Sequence, residues 1–582
     1  MSTGHSSAKA AGLGLIFALD NCGMGDSPQD KSGSAPSSTR SSGQTTPPEA
    51  SQATPASSPQ SSNPPTSNLV RQGSVVASMT LISRISGFVR DVVLSYLFGA
   101  SVYADVFFVA LRVPNFFRRL FAEGAFSQAF VPVMVRYREE GQAALRAFLA
   151  PLLGLFGLAL LIFTGLAEIF ARALTALFAP GFLDTPDVFD QTVDLVRITF
   201  PYLAFISLSA YAGALLNAHQ RFAVPAVTPV LLNLSLLGAA TLVLMGWVDD
   251  GGTAGITVLA WGVFVAGVLQ LAVQLPALGS LGLLVKPSAD TSHPGVRQVG
   301  KLLIPAVFSA SVSQINALVN TILASTLITG SISWLYFADR LMELPLGLVA
   351  VALGTVMLPH LSRLAAQGRE ADFHRTMDWG VFLGLLLGMP AAVALYLLAE
   401  PLSASVFMAF DGGAMRDTDI RMVGLALEFF AVALPGFVLV KVLAPGFFAH
   451  QDTQSPFRYA LAAVIVNLLG SLLTFTWFGH VGLALATALS AWAHVLFLLT
   501  GIRRAGHYRP GPMLKQHALR IGVATVCVGG VIYFWVAPLP WLQMQGLPRL
   551  GWMLLVVAGI AAVYALILVL LGLRPRHLLH RV

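Results

Sequence analysis

The chain has 582 residues, of which 55% are hydrophobic and only 11% charged. A water-soluble domain carries about 25% charged residues, so this chain cannot cover a soluble surface with polar groups. Its net charge of +7 calls for no nucleic-acid partner, because cytoplasmic loops of membrane proteins are basic. Cys22 and Cys527 offer neither metal-ligand spacing nor a disulfide framework. There is no Walker A loop, no HExxH and no GxSxG, which argues against ATP-driven transport by this chain alone and gives little support to an enzyme.

Taken in chain order, residues 1–67 are rich in Ser, Pro, Thr, Gln and Gly and bury too little apolar surface to offset their ordering entropy, so disorder is expected. Within them "AAGLGLIFAL" (10–19) has the character of a signal-peptide core, but "DNC" follows where small residues should precede a cleavage site. A misassigned start codon is the bland explanation for the extension. From residue 70 about fourteen apolar segments follow, each long enough to cross hydrocarbon. They lie near 74–98, 104–134, 147–177, 190–217, 224–246, 255–280, 298–327, 333–361, 379–408, 422–448, 457–478, 481–502, 517–537 and 550–573. The fold class is therefore an all-α polytopic membrane protein. With the N-terminus cytoplasmic, loops on that side hold roughly nineteen Arg and Lys, from Arg136 to Arg581, against three outside, Arg416, Arg421 and Arg549. That bias places both termini in the cytoplasm.

The chain also repeats itself. "FPYLAFISLSAYAGALLNAHQRFAVP" (200–225) and "LPGFVLVKVLAPGFFAHQDTQSP" (434–456) both end on His-Gln, with Pro six residues after the His. A looser echo links "RVPNFFRRLFAEGAFSQAFVPV" (112–133) with "RLMELPLGLVAVALGTVMLPHL" (340–361). Two copies of one helical unit suggest two lobes around a central pathway.

Charges inside apolar segments are costly and mark function. Arg84 and Asp91, seven residues apart, share a face of the first segment, with Arg90 about 120° away on an ideal helix. Ser86-Gly87 between them is a plausible bend. The second segment carries Asp105, Arg112, Arg118, Arg119 and Glu123. Arg119 can pair with Glu123 four residues on, whereas Arg118 is expected to have no partner three or four residues away and to be freer to face a ligand. The eighth repeats the theme in "YFADRLMELP", with Asp339, Arg340 and Glu343, and Lys441 stands alone in the tenth. Guanidinium forks match phosphate oxygens, so Arg84, Arg90, Arg118 and Arg340 form a candidate phosphate cradle for a large anionic amphiphile. Asp91, Asp105, Arg119, Glu123, Asp339, Glu343 and Lys441 make a supporting network. Gly384 and Gly388 form a GxxxG that permits close helix packing inside the molecule.

At these residues the sequence is similar to the MviN/MurJ family of lipid II flippases, within the multidrug/oligosaccharidyl-lipid/polysaccharide exporter superfamily. The densest stretches are "SMTLISRISGFVRD", "RVPNFFRRLFAEGAFSQAFVPV", "YFADRLMELPLGLVAVALGTVMLP" and "VKVLAPGFFAHQDTQSP". The resemblance runs from about residue 68 to the C-terminus. It implies an N-lobe of six helices (68–285), a C-lobe core of six (286–510), and a final pair with the tail (511–582) forming a groove for a polyprenyl chain, all around a central cationic cavity. It further implies lipid II, the disaccharide-pentapeptide on undecaprenyl diphosphate, as cargo. Flipping would run from the cytoplasmic to the periplasmic leaflet of the bacterial inner membrane by alternating access. Membrane lipids and cell-wall synthesis proteins are the other expected partners. The family's cavity arginines fall on Arg84, Arg90, Arg118 and Arg340, and its acidic motif positions on Asp105, Glu123 and Asp339. No resident cofactor is expected. Sodium, reported in the C-lobe of some members, is a candidate counter-ion; Asn316 and Asn467 are polar residues there, but no metal-ligating set can be picked out. The rival readings are a flippase for another lipid-linked sugar, a cation-coupled drug exporter, and a scaffold that recruits cell-wall enzymes.

Overall fold

The computed structural model describes residues 66–121, 125–248 and 252–573, and every regular element in them is helical. The first half comprises α1 (Thr66–Phe98), α2 (Val102–Phe121), α3 (Ala125–Glu139), α4 (Gln142–Ile169), α5 (Ala171–Phe178), α6 (Pro186–Thr199), α7 (Tyr202–Ala218), α8 (Ala223–Leu244), α9 (Thr253–Ala272) and α10 (Leu275–Ser280). Then follow α11 (Pro294–Ser325), α12 (Ser331–Ala366), α13 (Glu370–Leu397), α14 (Ala399–Phe407), α15 (Asp417–Phe448), α16 (Gln454–Phe478), α17 (His480–Arg504), α18 (Pro512–Val531) and α19 (Gly546–Leu570). The expected disorder of the extension falls, up to residue 65, outside the described residues.

Local chemistry sets several of these boundaries. Prolines open α6, α11 and α18, where their missing N–H is an orphan donor anyway. Gly479 separates α16 from α17 at φ 56°, ψ −134°, a conformation only glycine adopts cheaply. The apolar segment near 190–217 is two helices, broken at Phe200-Pro201, and the one near 104–134 is divided between α2 and α3.

Nine helical stretches among the described residues are long and apolar enough to cross a membrane, the 51-residue Gln454–Arg504 stretch holding both α16 and α17. Large side chains such as Leu161, Ile169, Leu473, Trp477 and Leu570 are exposed, as expected of a surface solvated by lipid. The chain is a multi-pass membrane protein. Helices α1 and α2 fall outside that apolar set, and with α12 they carry most of the charges of the expected site.

Helix α8 packs on α1 and α9, α2 on α6, and α7 on α9, while α15 packs against α12, α13 and α17. Helix α11 touches both sets, lying against α3 and α16. Gly384 and Gly388 admit α15: a Cβ on Gly384 would lie 3.1 Å from Val438, and one on Gly388 3.6 Å from Pro435. The GxxxG is thus an internal packing face, as its sequence suggested. The last pair, α18 and α19, buries Ile521, Val528, Met553 and Ile560 with Phe382 and Leu386 of α13. Tyr564 Oη donates to the Leu386 carbonyl at 3.0 Å.

The His-Gln repeat has one geometry in both copies. His219 Nδ1 lies 2.8 Å from the Leu215 carbonyl and His450 Nδ1 3.0 Å from that of Gly446. Gln220 and Gln451 follow at φ 58° and 60°, the non-glycine residues of the described chain in that region. Arg221 and Asp452 then donate back to Leu216 and Phe447 at 2.8 and 3.1 Å, closing a Schellman-type helix end.

Candidate anion-binding site

Helices α1, α2, α8 and α12 converge on one carboxylate. Arg90 and Asp91 are 8% and 2% exposed, so neither snorkels to an interface. Arg90 Nε and Nη2 both donate to Asp91 Oδ1, at 2.9 and 2.7 Å. Its Nη1 donates to Asn233 Oδ1 of α8 at 2.9 Å. From α12, Tyr336 Oη donates to the same Asp91 Oδ1 at 2.9 Å. One turn further, Arg340 brings Nε to 3.4 Å from Asp91 Oδ2 and Nη1 to 2.7 Å from Glu343 Oε2. The Arg340 guanidinium also sits 4.8 Å from the Tyr336 ring centroid, and that ring stacks on Phe108 of α2 at 3.9 Å. Pairing is what makes buried charge tolerable here, since an isolated ion in such surroundings costs several kcal/mol (roughly).

Asn233 and Tyr336 were missed as site residues. Asn233 also donates from Nδ2 to the Ser83 carbonyl at 2.9 Å and to Ser86 Oγ at 3.0 Å. The signal in the sequence was a lone amide in the apolar run "PVLLNLSLL", which must find partners once buried. Gly87 lets that amide approach: a Cβ there would stand 3.3 Å from Asn233 Nδ2. Helix α1 itself runs unbroken from Thr66 to Phe98, so Ser86-Gly87 interrupts no helix and serves this contact instead.

Of the other expected residues, Arg84 is exposed and its guanidinium lies over Gly347 of α12, where a Cβ would fall 1.8 Å from Nη1. Arg118 is not without a partner at short spacing: its Nε donates to Asn115 Oδ1 at 3.0 Å, one turn back. The expectation failed because it counted charges and overlooked an amide. Arg112 and Asp339 lie within electrostatic reach of each other, and each of them within reach of Arg119 and Arg340. Arg119 and Lys441 are exposed, and Glu123 lies outside the described residues.

Asp105 stands apart from the arginines. It is 3% exposed and accepts from the Gly330 and Ser333 backbone amides at 2.6 and 2.9 Å and from Ser333 Oγ at 2.6 Å. It therefore caps the N-terminus of α12 from another helix, where orphan N–H groups and the helix dipole favour an anion. Further bonds line the same end. Ser95 Oγ donates to the Phe407 carbonyl at 3.2 Å, Ala414 N to that of Tyr96 at 2.8 Å, and Gly181 N to Ser325 Oγ at 3.2 Å. A cavity of about 560 Å³ beside this end, lined by Val93, Tyr96, Leu244, Phe410, Asp411 and Leu547 among others, is separate from the arginines.

Asn316 and Asn467 belong to a polar cluster on α11, α16 and α17. Asn320 Nδ2 and Asn467 Nδ2 each lie 3.4 Å from Thr487 Oγ1. The amide oxygens of Asn316, Asn320 and Asn467, with Ser471 Oγ, are buried without hydrogen-bond partners. Oxygen donors suit sodium, but this set is amide and hydroxyl only, so a buried cation would keep its charge uncompensated. The cluster offers a cation no carboxylate to neutralise it and does not fit a charge-neutralising counter-ion site.

The family model described as "Lipid II flippase MurJ" matches residues 94–550. The chain is similar to a probable lipid II flippase MurJ of Haemophilus influenzae, 41% identical over 516 residues, covering 86% of this chain and 99% of the relative. It is also similar to the lipid II flippase MurJ of Burkholderia cenocepacia, 35% identical over 514 residues, covering 87% and 98%. A solved lipid II flippase MurJ in an inward closed conformation superposes with a TM-score of 0.71 at 25% identity, over 85% of this chain and 97% of that one. A multidrug resistance transporter of the MATE family, inward-facing, shares the fold alone, with a TM-score of 0.58 at 13% identity over 76% of this chain and 98% of that one. A carboxylate gripped by arginines from two helices, set within a helical membrane fold matched from residue 94 to residue 550, makes this chain a member of the MurJ family of lipid II flippases.

Proposed function

We propose that this chain moves lipid II from the cytoplasmic to the periplasmic leaflet of the bacterial inner membrane, with both termini in the cytoplasm. Fourteen spans fit this reading: an N-lobe over 68–285, a C-lobe core over 286–510 and a final pair for the polyprenyl tail. The observation that carries it is the arrangement at Asp91, where one carboxylate is shared by Arg90 of α1 and Arg340 of α12. Carboxylate and phosphate oxygens accept from the same guanidinium forks. A diphosphate entering from the cytoplasmic leaflet competes with Asp91 for both arginines, with Arg84 and Arg118 completing the cradle. The tail stays in hydrocarbon throughout.

Once the diphosphate holds the arginines, the two helix sets are tied through the cargo instead of through Asp91. The seam from Asp105 to Gly330 and Ser333 must part for release on the periplasmic side. An inside-negative potential favours outward movement of negative charge by about 2.3 kcal/mol per charge per 100 mV. The chain's own groups bind, orient and release; no bond is made or broken. Reach of an outside-added probe to lipid II, in cells depleted of this chain, tests the reading. Accumulated but inaccessible lipid II supports it. Unchanged exposure, with no second flippase present, overturns it in favour of another anionic cargo.

A further inference from the structure

Two helix ends meet away from the arginine network, on the face that bears the basic loops. Helix α15 runs out through His450 and Gln451, and α17 ends at Arg504, with Gly506 at φ 76° and His507 N donating to the Ile502 carbonyl at 3.1 Å. The imidazoles of His450 and His507 stack, centroids 3.9 Å apart and planes 13° from parallel. A carbonyl can only accept, so His450 Nδ1 donates to Gly446 and its Nε2 carries the lone pair. That Nε2 is buried and has no hydrogen-bond partner.

The surroundings hold the loop but not a second proton. From α13, His374 Nε2 donates to the His507 carbonyl at 3.0 Å, and the Phe373 ring meets His450 at 4.8 Å. Asp378 is engaged by Tyr508 Oη at 2.6 Å and Gly511 N at 3.2 Å. Glu370 and Asp452 reach His507 through space, and the two helix C-termini also favour positive charge. Against them stand burial, the largest influence, and His450; the net effect holds His507 below its ordinary range. The loop 505–511 leads directly into α18, which packs on α13 and α19.

We propose that the His450–His507 stack is a proton-sensitive joint that fastens the end of α15 to the entry of the last helix pair and loosens on acidification. A stacked pair accommodates one charged ring over a neutral one; a second proton places two cations face to face. A lowered pKa in the closed joint means that the detached loop binds the proton more tightly. The joint is therefore at full strength above about pH 6.5 and weakens as pH falls below that value.

The test is hydrogen exchange of the amides of residues 505–511 in the full chain in lipid nanodiscs, corrected for intrinsic rate, at about pH 7.5 and about pH 5.5. Protection should fall in the acid, by at most about tenfold, the limit set by a detached loop whose histidine titrates in its ordinary range. His450→Phe keeps the stacked ring and removes the facing imidazole but not the burial, so its loss should be smaller than that of the native chain. His450→Lys, with a fixed charge, should already be poorly protected at the higher pH. Equal protection of residues 483–502 in all three proteins shows that the fold persists. An unchanged acid response in His450→Phe, or none in the native chain, overturns the joint.

Discussion

Two buried carboxylates reach helix α12 from the first two helices, and they do so with different partners. Asp91 is held by side chains: Arg90 beside it, and Tyr336 and Arg340 of α12. Asp105 is held chiefly by the backbone, the Gly330 and Ser333 amides at the start of the same helix. Side chains can turn to a competing anion without the helices moving. Backbone amides at a helix N-terminus cannot; they are released only when α2 and α12 separate. One carboxylate is thus suited to exchange with a ligand, and the other to hold a state.

The largest effect should come from Arg90→Ala. It removes transport and, by leaving Asp91 buried with fewer partners, destabilises the fold by about 3–5 kcal/mol. Adding Asp91→Asn should restore the melting temperature but not transport. Recovery of both would mean that Arg90 is structural only. Next, Asp105→Ala deletes hydrogen bonds to a charged acceptor, each worth about 1.5–3 kcal/mol, and opens the seam. A cysteine at Ser101 should then react several-fold faster (roughly) with an impermeant thiol reagent. Unaltered reactivity would break the contrast between the two carboxylates.

Arg118→Ala should sharply reduce flipping by protein that still reaches the membrane; Arg118 Nε donates to the neutral Asn115 on its own helix. Normal flipping by well-expressed protein removes Arg118 from the cradle. Gly347→Ala is milder. The new methyl displaces only the flexible end of Arg84, so flipping should slow by about three- to tenfold, roughly 1 kcal/mol of misplacement, with the melting temperature unchanged. Smallest of all, Gln220→Gly and Gln451→Gly relieve left-handed strain at the two repeated helix ends. Each should stabilise by about 0.5–1 kcal/mol, the left-handed penalty less the extra chain entropy of glycine.

Much of the fold was legible because lipid imposes long apolar helices, and these leave a strong composition signal. Helices α1 and α2 failed that signal through their own charges, Arg84, Arg90 and Asp91 on one and Asp105, Arg112, Arg118 and Arg119 on the other. The His-Gln repeat was likewise readable, since a Schellman end is local and both copies form it. Less was readable where partners come from far along the chain. Arg340 with Glu343 could be paired by spacing, but Asn233, 143 residues from Arg90, could not. Nor could Asp105 be assigned to a helix cap 225 residues away; by sequence it was one more member of a charged set.

By itself, then, the sequence determined a polytopic helical membrane protein with arginines where hydrocarbon should be, because period, length and charge cost are properties of each segment alone. Only the tertiary structure decided which acid holds which base. A carboxylate faced by guanidinium groups and one faced by backbone amides are the same residue in sequence, and the difference lies in whether each one meets the free amides that open α12 or the side chains one to two turns further along it.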